Sequence, residues 1–220
     1  MIWKKCIWGI LLAGSGLLAQ EVDPALQRLK QRMDSISGFQ ARVRMEVDIS
    51  FVNMPVKYAE VHYQRGEAIR ITSEDFVMIP KRGLDLTLNE LYKYPFMTLN
   101  LGKVRFEGRQ CDMIKVIPTT DKSDYSIATL WLDTAALRIL KSQISTKKNG
   151  VFDIVYHYKS EPLPLPSEIL VKFAVSGVKI PLRFLGKDTQ VDREGMQAKS
   201  EEQGRITLQL EDVQLFRMQE

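Results

Sequence analysis

The groups in this 220-residue chain whose types could do chemistry are two histidines, two cysteines and a pair of close carboxylates. His62 and His157 could share a metal or a proton. They lie 95 positions apart, each in a strand-like stretch, and read more simply as partly exposed strand residues. Glu46 and Asp48 share a strand face, which sets them about 7 Å apart. That resembles the separation of a glycosidase acid pair. No partner group marks them, so a solvated face is the expected reading. Two cysteines exclude both a disulfide scaffold and a four-cysteine zinc site. The nearest approach to a nucleophile elbow is Gly14-Ser15-Gly16, inside the apolar N-terminal run. Walker loops, H-E-x-x-H pairs and G-x-G-x-x-G turns are missing from the sequence. Basic residues do not interleave with aromatics in a stripe, so nucleic acid is not an expected partner. The chain is not expected to be an enzyme, and neither a cofactor nor a metal is expected.

The N-terminus needs separate accounting. Lys4 and Lys5 precede a mostly apolar run from Cys6 to Leu18, and small Ala19 is followed by polar Gln20 and Glu21. This reads as a secretory signal peptide over residues 1–19, cut after Ala19. The run is short for a membrane span, which takes about 20 residues. Leu17 is imperfect at the third position before the cut, and a retained N-terminal anchor is the alternative. Leu12-Ala13-Gly14 is followed by Ser15 rather than cysteine, so a lipid on the chain itself is not expected. The net charge of +4 falls to +2 without Lys4 and Lys5, too little for a polyanion-binding signature. Cys111 is then the single remaining thiol, expected buried and inert.

The elements that hold these groups are legible from periodicity. Asp23-Pro24 starts a helix, since Asp caps and Pro is tolerated in the first turn. Leu26, Leu29, Met33 and Ile36 recur on one helical face, and Gly38 supplies the stop, giving a helix over 24–36. From Phe39 to Phe51 apolar and polar residues alternate strictly, which is the pattern of a long half-buried strand. Alternation then continues at Ala59–Tyr63, Ile69–Ile71, Leu84–Leu88 and Met97–Leu101, with Val104 and Phe106 leading to a turn near Gly108. Cys111–Ile117 follows, then Tyr125–Leu132 paired with Leu137–Ser145 across an Asp133 turn. Lys147-Lys148-Asn149-Gly150 is a turn before Val151–Tyr158, and Ile169–Val175 and Ile206–Leu210 alternate again. Asn89–Tyr94 reads as a helical turn or loop, and polar 186–204 as a long hairpin loop or solvated surface. Roughly ten strands with little helix define a mainly β (α+β) chain with one large antiparallel sheet or open barrel. No composition break divides residues 20–220, which are expected to form one domain.

The order of signal peptide, amphipathic helix, very long alternating strand and antiparallel run resembles the periplasmic outer-membrane lipoprotein-sorting superfamily, the LolA/LolB-like carriers. The resemblance covers about residues 23–215. It rests on Ala25-Leu26-Gln27-Arg28-Leu29 through Gly38-Phe39-Gln40-Ala41 and on Tyr63-Gln64-Arg65 before Ile69-Arg70-Ile71. It rests also on Gly108-Arg109-Gln110-Cys111-Asp112-Met113-Ile114 before Leu130-Trp131-Leu132-Asp133, and on Ile154-Val155-Tyr156 before Leu165-Pro166. After Ile79 the sequence departs from the carriers: Lys81-Arg82-Gly83-Leu84 stands where their Asp-Gly-x-x-x-Trp-x-Tyr stretch would be. The resemblance implies an incomplete β-barrel whose mouth is covered by helices and whose apolar cavity receives acyl chains. It implies a lid-controlling arginine, matched by Arg65 and, less closely, by Arg70.

Under that reading Phe39, Val43, Met45, Val47, Ile49, Phe51, Leu99, Trp131, Val171 and Phe173 line the cavity, and Val77, Met78 and Met97 suit an adaptable lining. The expected protein is a periplasmic monomer. It passes acylated lipoprotein or lipid from an inner-membrane donor to an outer-membrane acceptor. Two alternatives stand beside it. The sheet could fold on itself with a filled core, or the same fold could serve a periplasmic sensor or scaffold that binds a protein partner.

Overall fold

In a computed structural model, described over residues 22–65, 67, 69–73, 91–159, 165–174, 188–192 and 203–216, one helix meets a large sheet. Helix α1 (Pro24–Asp34) begins as its sequence dictates, with Asp23 Oδ1 accepting from the Ala25 amide at 2.8 Å. Its stripe is buried at Ala25, Leu26 and Leu29, and Ile36 is buried just beyond its end.

The strands are β1 (Gly38–Asp48), β2 (Val52–Asn53), β3 (Lys57–Gln64), β4 (Arg70–Thr72), β5 (Phe96–Phe106) and β6 (Arg109–Pro118). They continue with β7 (Tyr125–Asp133), β8 (Arg138–Thr146), β9 (Val151–His157), β10 (Glu168–Ala174), β11 (Gln190–Val191) and β12 (Gln203–Phe216). Ten form one antiparallel sheet, in the order β4-β3-β1-β12-β10-β9-β8-β7-β6-β5, which is not closed into a barrel. β2 and β11 make a separate two-stranded ladder. β5 to β10 form a meander, and β12 returns from the end of the chain to sit between β10 and β1.

Local chemistry explains several joints. Asp133 closes the β7–β8 hairpin: its Oδ1 accepts from the Ala135 and Ala136 amides at 3.1 and 3.0 Å, and its Oδ2 from Arg109 at 3.1 Å. Gly204 on β12 leaves room for Phe173, since a Cβ there would stand 2.7 Å from that ring. The separate Met97–Leu101 and Val104–Phe106 stretches are one strand, β5, with an irregular register between Asn100 and Lys103 around Gly102, whose φ is +92°. The long β1 ends at Asp48, and Ile49 and Phe51 belong to the turn into β2. Part of the polar 186–204 stretch is not a free loop. Gln190 and Val191 pair with Asn53 and Val52, and the Asp192 amide donates to Phe51 O at 2.9 Å.

The helix fixes the shape of the sheet. The Asp23 amide donates to Thr98 Oγ1 of edge strand β5 at 2.8 Å, and Asn100 Nδ2 donates to Asp23 Oδ2 at 3.0 Å. At the other end Arg65, just past β3, donates from Nε to Ile36 O at 3.3 Å and from its amide to Ser37 O at 2.9 Å. Eight strand spacings separate β3 from β5. Laid flat they would span about 38 Å. Asp23 to Ile36 reaches about 20 Å as helix. The sheet therefore curls around α1.

The leader expected over residues 1–19, the alternating Leu84–Leu88, Val77, Met78 and the Lys81–Leu84 departure lie outside the described residues. Of the Asn89–Tyr94 stretch, Leu91 and Tyr92 are helical, and Leu91 is buried.

Candidate functional site

Cross-strand partners show what each face of the sheet carries. Ile114, Leu130, Ser142, Ile154, Val171, Ile206 and Val47 form one row from β6 to β1. Val116, Ala128, Ile144, Phe152, Phe173 and Gly204 form the next. The polar interruption at Ser142 is satisfied by the Tyr156 hydroxyl at 3.1 Å, and burial pushes the Tyr156 phenol up to about 12. The opposite face reads Lys115, Thr129, Gln143, Asp153, Lys172, Arg205 and Asp48 along one row. One face is thus apolar and the other charged.

The apolar face divides into two clusters. In the first, Ala25, Leu26 and Leu29 of α1 pack with Ile49, Phe51, Leu91, Ile114, Val116, Leu130, Ile154, Val171 and Phe173, among others. The second is built on Val43, Met45, Ala59, Val61 and Leu208, with Phe39, Ile69, Ile71 and Leu210 packed against it. Val47, Met54, Ile169 and Ile206 touch both. No residue of α1 belongs to the second cluster.

Of the side chains expected to line a cavity, Phe39, Val43 and Met45 fall in the second cluster, and Ile49, Phe51, Val171 and Phe173 in the first. Val47 sits at their seam. Leu99 and Trp131 do not join them. Leu99 pairs with Lys115, between the buried Ile114 and Val116, and is 53% exposed. Trp131 lies between buried Leu130 and Leu132 and therefore points to the charged face, with Lys141 Nζ 4.9 Å from its ring centroid. Alternation separates the two faces of a strand; which one is covered depends on neighbours far away in the chain.

Arg65 is exposed and bonded to the exit of α1. Arg70 is not: its guanidinium meets Glu67 at 3.0 Å on the surface. Missed by sequence reasoning was Lys57, 2% exposed and on the apolar face beside Ala59 and Val61. Its position in the β3 alternation was the available signal.

The groups weighed for chemistry are apart. His62 on β3 and His157 on β9 are separated by β1, β12 and β10, about 19 Å across the sheet. His157 Nδ1 meets Glu168 Oε1 at 2.9 Å. Glu46 meets Arg44 at 3.1 Å and Asp48 meets Arg205 at 3.8 Å, so each carboxylate has its own basic partner. Cys111 is buried, and burial, then the charge of Asp133, raise its thiol pKa. Among the described residues no group of three His, Cys, Asp or Glu could hold a metal ion.

This curled, open antiparallel sheet, its apolar face gripped by an N-terminal helix, has the LolA-like fold. It is similar to the structure of a domain described as outer-membrane lipoprotein-sorting from Vibrio parahaemolyticus, at 13% identity and a TM-score of 0.50, covering 89% of this chain and 92% of that one. It is similar also to a LolA superfamily protein from Nitrosomonas europaea, at 12% identity and a TM-score of 0.51, covering 88% and 94%. A DUF1329 family protein from Desulfovibrio piger matches at 12% identity and a TM-score of 0.52, covering 89% and 92%. No family model matches the sequence, and no curated protein matches it.

Proposed function

We propose that the protein is a periplasmic carrier that takes the acyl chains of lipoproteins or lipids against the apolar face of its sheet. The observation that carries this reading is the division of that face. The three buried residues of α1 serve the first cluster alone, while the second is built from β1, β3 and β12 without the helix. The eleven-residue helix covers only part of so broad a sheet, and the second cluster is buried without it. The likeness to lipoprotein-sorting structures supports the same reading through the fold.

Magnitudes favour a transient guest. Moving an acyl chain out of water gains about 0.8 kcal/mol per methylene, or up to ~12 kcal/mol for ~15 methylenes. Val43, Met45, Ala59, Val61 and Leu208 are already buried. A guest there replaces protein cover rather than water on the protein side, so the net gain is smaller. A carrier that must release its cargo requires such a reduction. Arg65 acts as the clasp between α1 and β3, favouring the closed state that competes with cargo. The chain performs no covalent chemistry in this role. Its donor lies at the inner membrane and its acceptor at the outer membrane, and a leader over residues 1–19 exports it.

Native mass spectrometry of protein purified from its host tests the reading. A mass increment matching one acylated species, lost on organic extraction, is expected. Protein that carries no such increment, whether isolated from host membranes or incubated with lipoprotein, would count against it.

A further inference from the structure

An ammonium group on an apolar sheet face needs a reason. Lys57 opens β3 and points to the same side as Ala59 and Val61. Across the sheet it lies in line with Met45, Leu208, Ile169 and Tyr156. That row crosses the seam where the two apolar clusters meet. Lys57 is 2% exposed, and among the described residues the carboxylate that meets it, Asp188 at 3.6 Å, is 76% exposed. Taking an ammonium out of water costs several kcal/mol unless an anion accompanies it. The anion here is supplied by a solvated side chain, at more than hydrogen-bonding distance. Asp188 leads into β11, which is held to β2 by the Gln190–Asn53 and Val191–Val52 pairs rather than by Asp188 itself. The carboxylate can therefore leave Lys57 while the ladder stays in place.

We propose that Lys57 is an anion receptor at one end of the acyl-binding face, taking the carboxylate or phosphate head of an amphiphile whose chain lies along Met45, Leu208 and Ile169. Asp188 occupies the ammonium when no guest is present, and the head group displaces it. This rests on the carrier reading and narrows it. A neutral chain binds by burial alone, and an anionic amphiphile gains a charge-assisted contact in a water-poor site. A bare anion, lacking the chain, has only the contact and competes poorly with the tethered Asp188.

The test is a titration of the full, delipidated chain with dodecanoate, dodecyl phosphate, 1-dodecanol and inorganic phosphate. Wild type is expected to bind one or both anionic amphiphiles about tenfold more tightly than dodecanol, a difference of about 1.4 kcal/mol. Whichever of the two is preferred identifies the head group, and inorganic phosphate should bind far more weakly. Lys57→Met should abolish the preference, so that the anionic ligands bind the variant within about twofold of dodecanol on the same variant. Asp188→Asn, on the exposed side of the pair, should tighten the anionic ligands without moving dodecanol, and it serves even where Lys57→Met fails to fold. Equal wild-type affinities for all three chains, or a preference that survives Lys57→Met, would overturn the receptor and leave the carrier reading intact. Failure of dodecanol and both anionic chains to bind would end both. Inorganic phosphate binding as tightly as dodecyl phosphate would overturn the amphiphile assignment.

Discussion

Arg65 reaches from the end of β3 to the backbone of Ile36, its Nε 3.3 Å from that carbonyl and its amide 2.9 Å from Ser37 O. With Thr98 and Asn100 holding Asp23 at the other end of the helix, this makes α1 a brace across the open sheet. The brace is polar at both ends and apolar in the middle. It can be loosened at one end without touching the core.

Arg65→Leu should weaken the closed state by removing the side-chain bond, worth about 0.5–1.5 kcal/mol. The Arg65 amide bond to Ser37 stays. If closure competes with cargo, the variant holds an acyl chain more tightly and hands it on more slowly. Stopped-flow transfer of a fluorescent fatty acid to vesicles measures this. A transfer rate equal to wild type removes Arg65 from the release step.

Asp133→Ala should destabilise the fold by about 1–3 kcal/mol, because two hairpin amides and Arg109 lose their buried acceptor together. Urea denaturation reads the loss. Acyl binding by the fraction that stays folded should be unchanged, since Asp133 sits on the hairpin and not on the apolar rows.

Gly204→Val should also destabilise, by about 1–3 kcal/mol. Its Cβ would meet the buried Phe173 ring at 2.7 Å and Ile49 at 3.2 Å. A thermal melt unchanged from wild type would show that the ring can turn aside.

Glu168 sets an acid dependence. Its carboxylate accepts from Gln209 at 3.0 Å and meets His157 at 2.9 Å, and those contacts, Gln209 first, hold its pKa below the ordinary 4.5. A lowered folded-state value stabilises the protein above the unfolded value and loses that contribution as pH falls through the folded one. The urea midpoints of wild type and Glu168→Gln should therefore differ most at neutral pH and converge in acid below the ordinary carboxylate value. A gap that widens in acid contradicts the assignment.

Short-range patterns were legible in the sequence and long-range ones were not. The 3-4-3 spacing of Leu26, Leu29, Met33 and Ile36 foretold the helix stripe, and the alternation from Phe39 foretold the longest half-buried strand near the N-terminus. Asp133 and the Lys147–Gly150 turn marked hairpins that formed as expected. Leu99 and Trp131 stand on the charged face rather than the expected apolar one, because alternation fixes parity, while the identity of the covered face depends on register with β6 and β8. The β2–β11 ladder joins residues some 140 positions apart, through two-residue strands that no periodicity can reveal. Lys57 looked like an ordinary strand-opening lysine. Its parity with Ala59 and Val61 was the one local signal, and its pairing with Met45 places it in an apolar row.

The most direct measurement is equilibrium binding of a fluorescent C16 fatty acid to delipidated protein, comparing wild type with Met45→Asp. Met45 is a buried member of the cluster without helix residues. Wild type should bind one chain saturably, and an ionised carboxylate in that row should cut affinity at least tenfold while the far-UV spectrum stays that of the folded sheet. A folded wild type that takes up no chain, or a folded Met45→Asp that binds it as tightly, would contradict an acyl guest on this face.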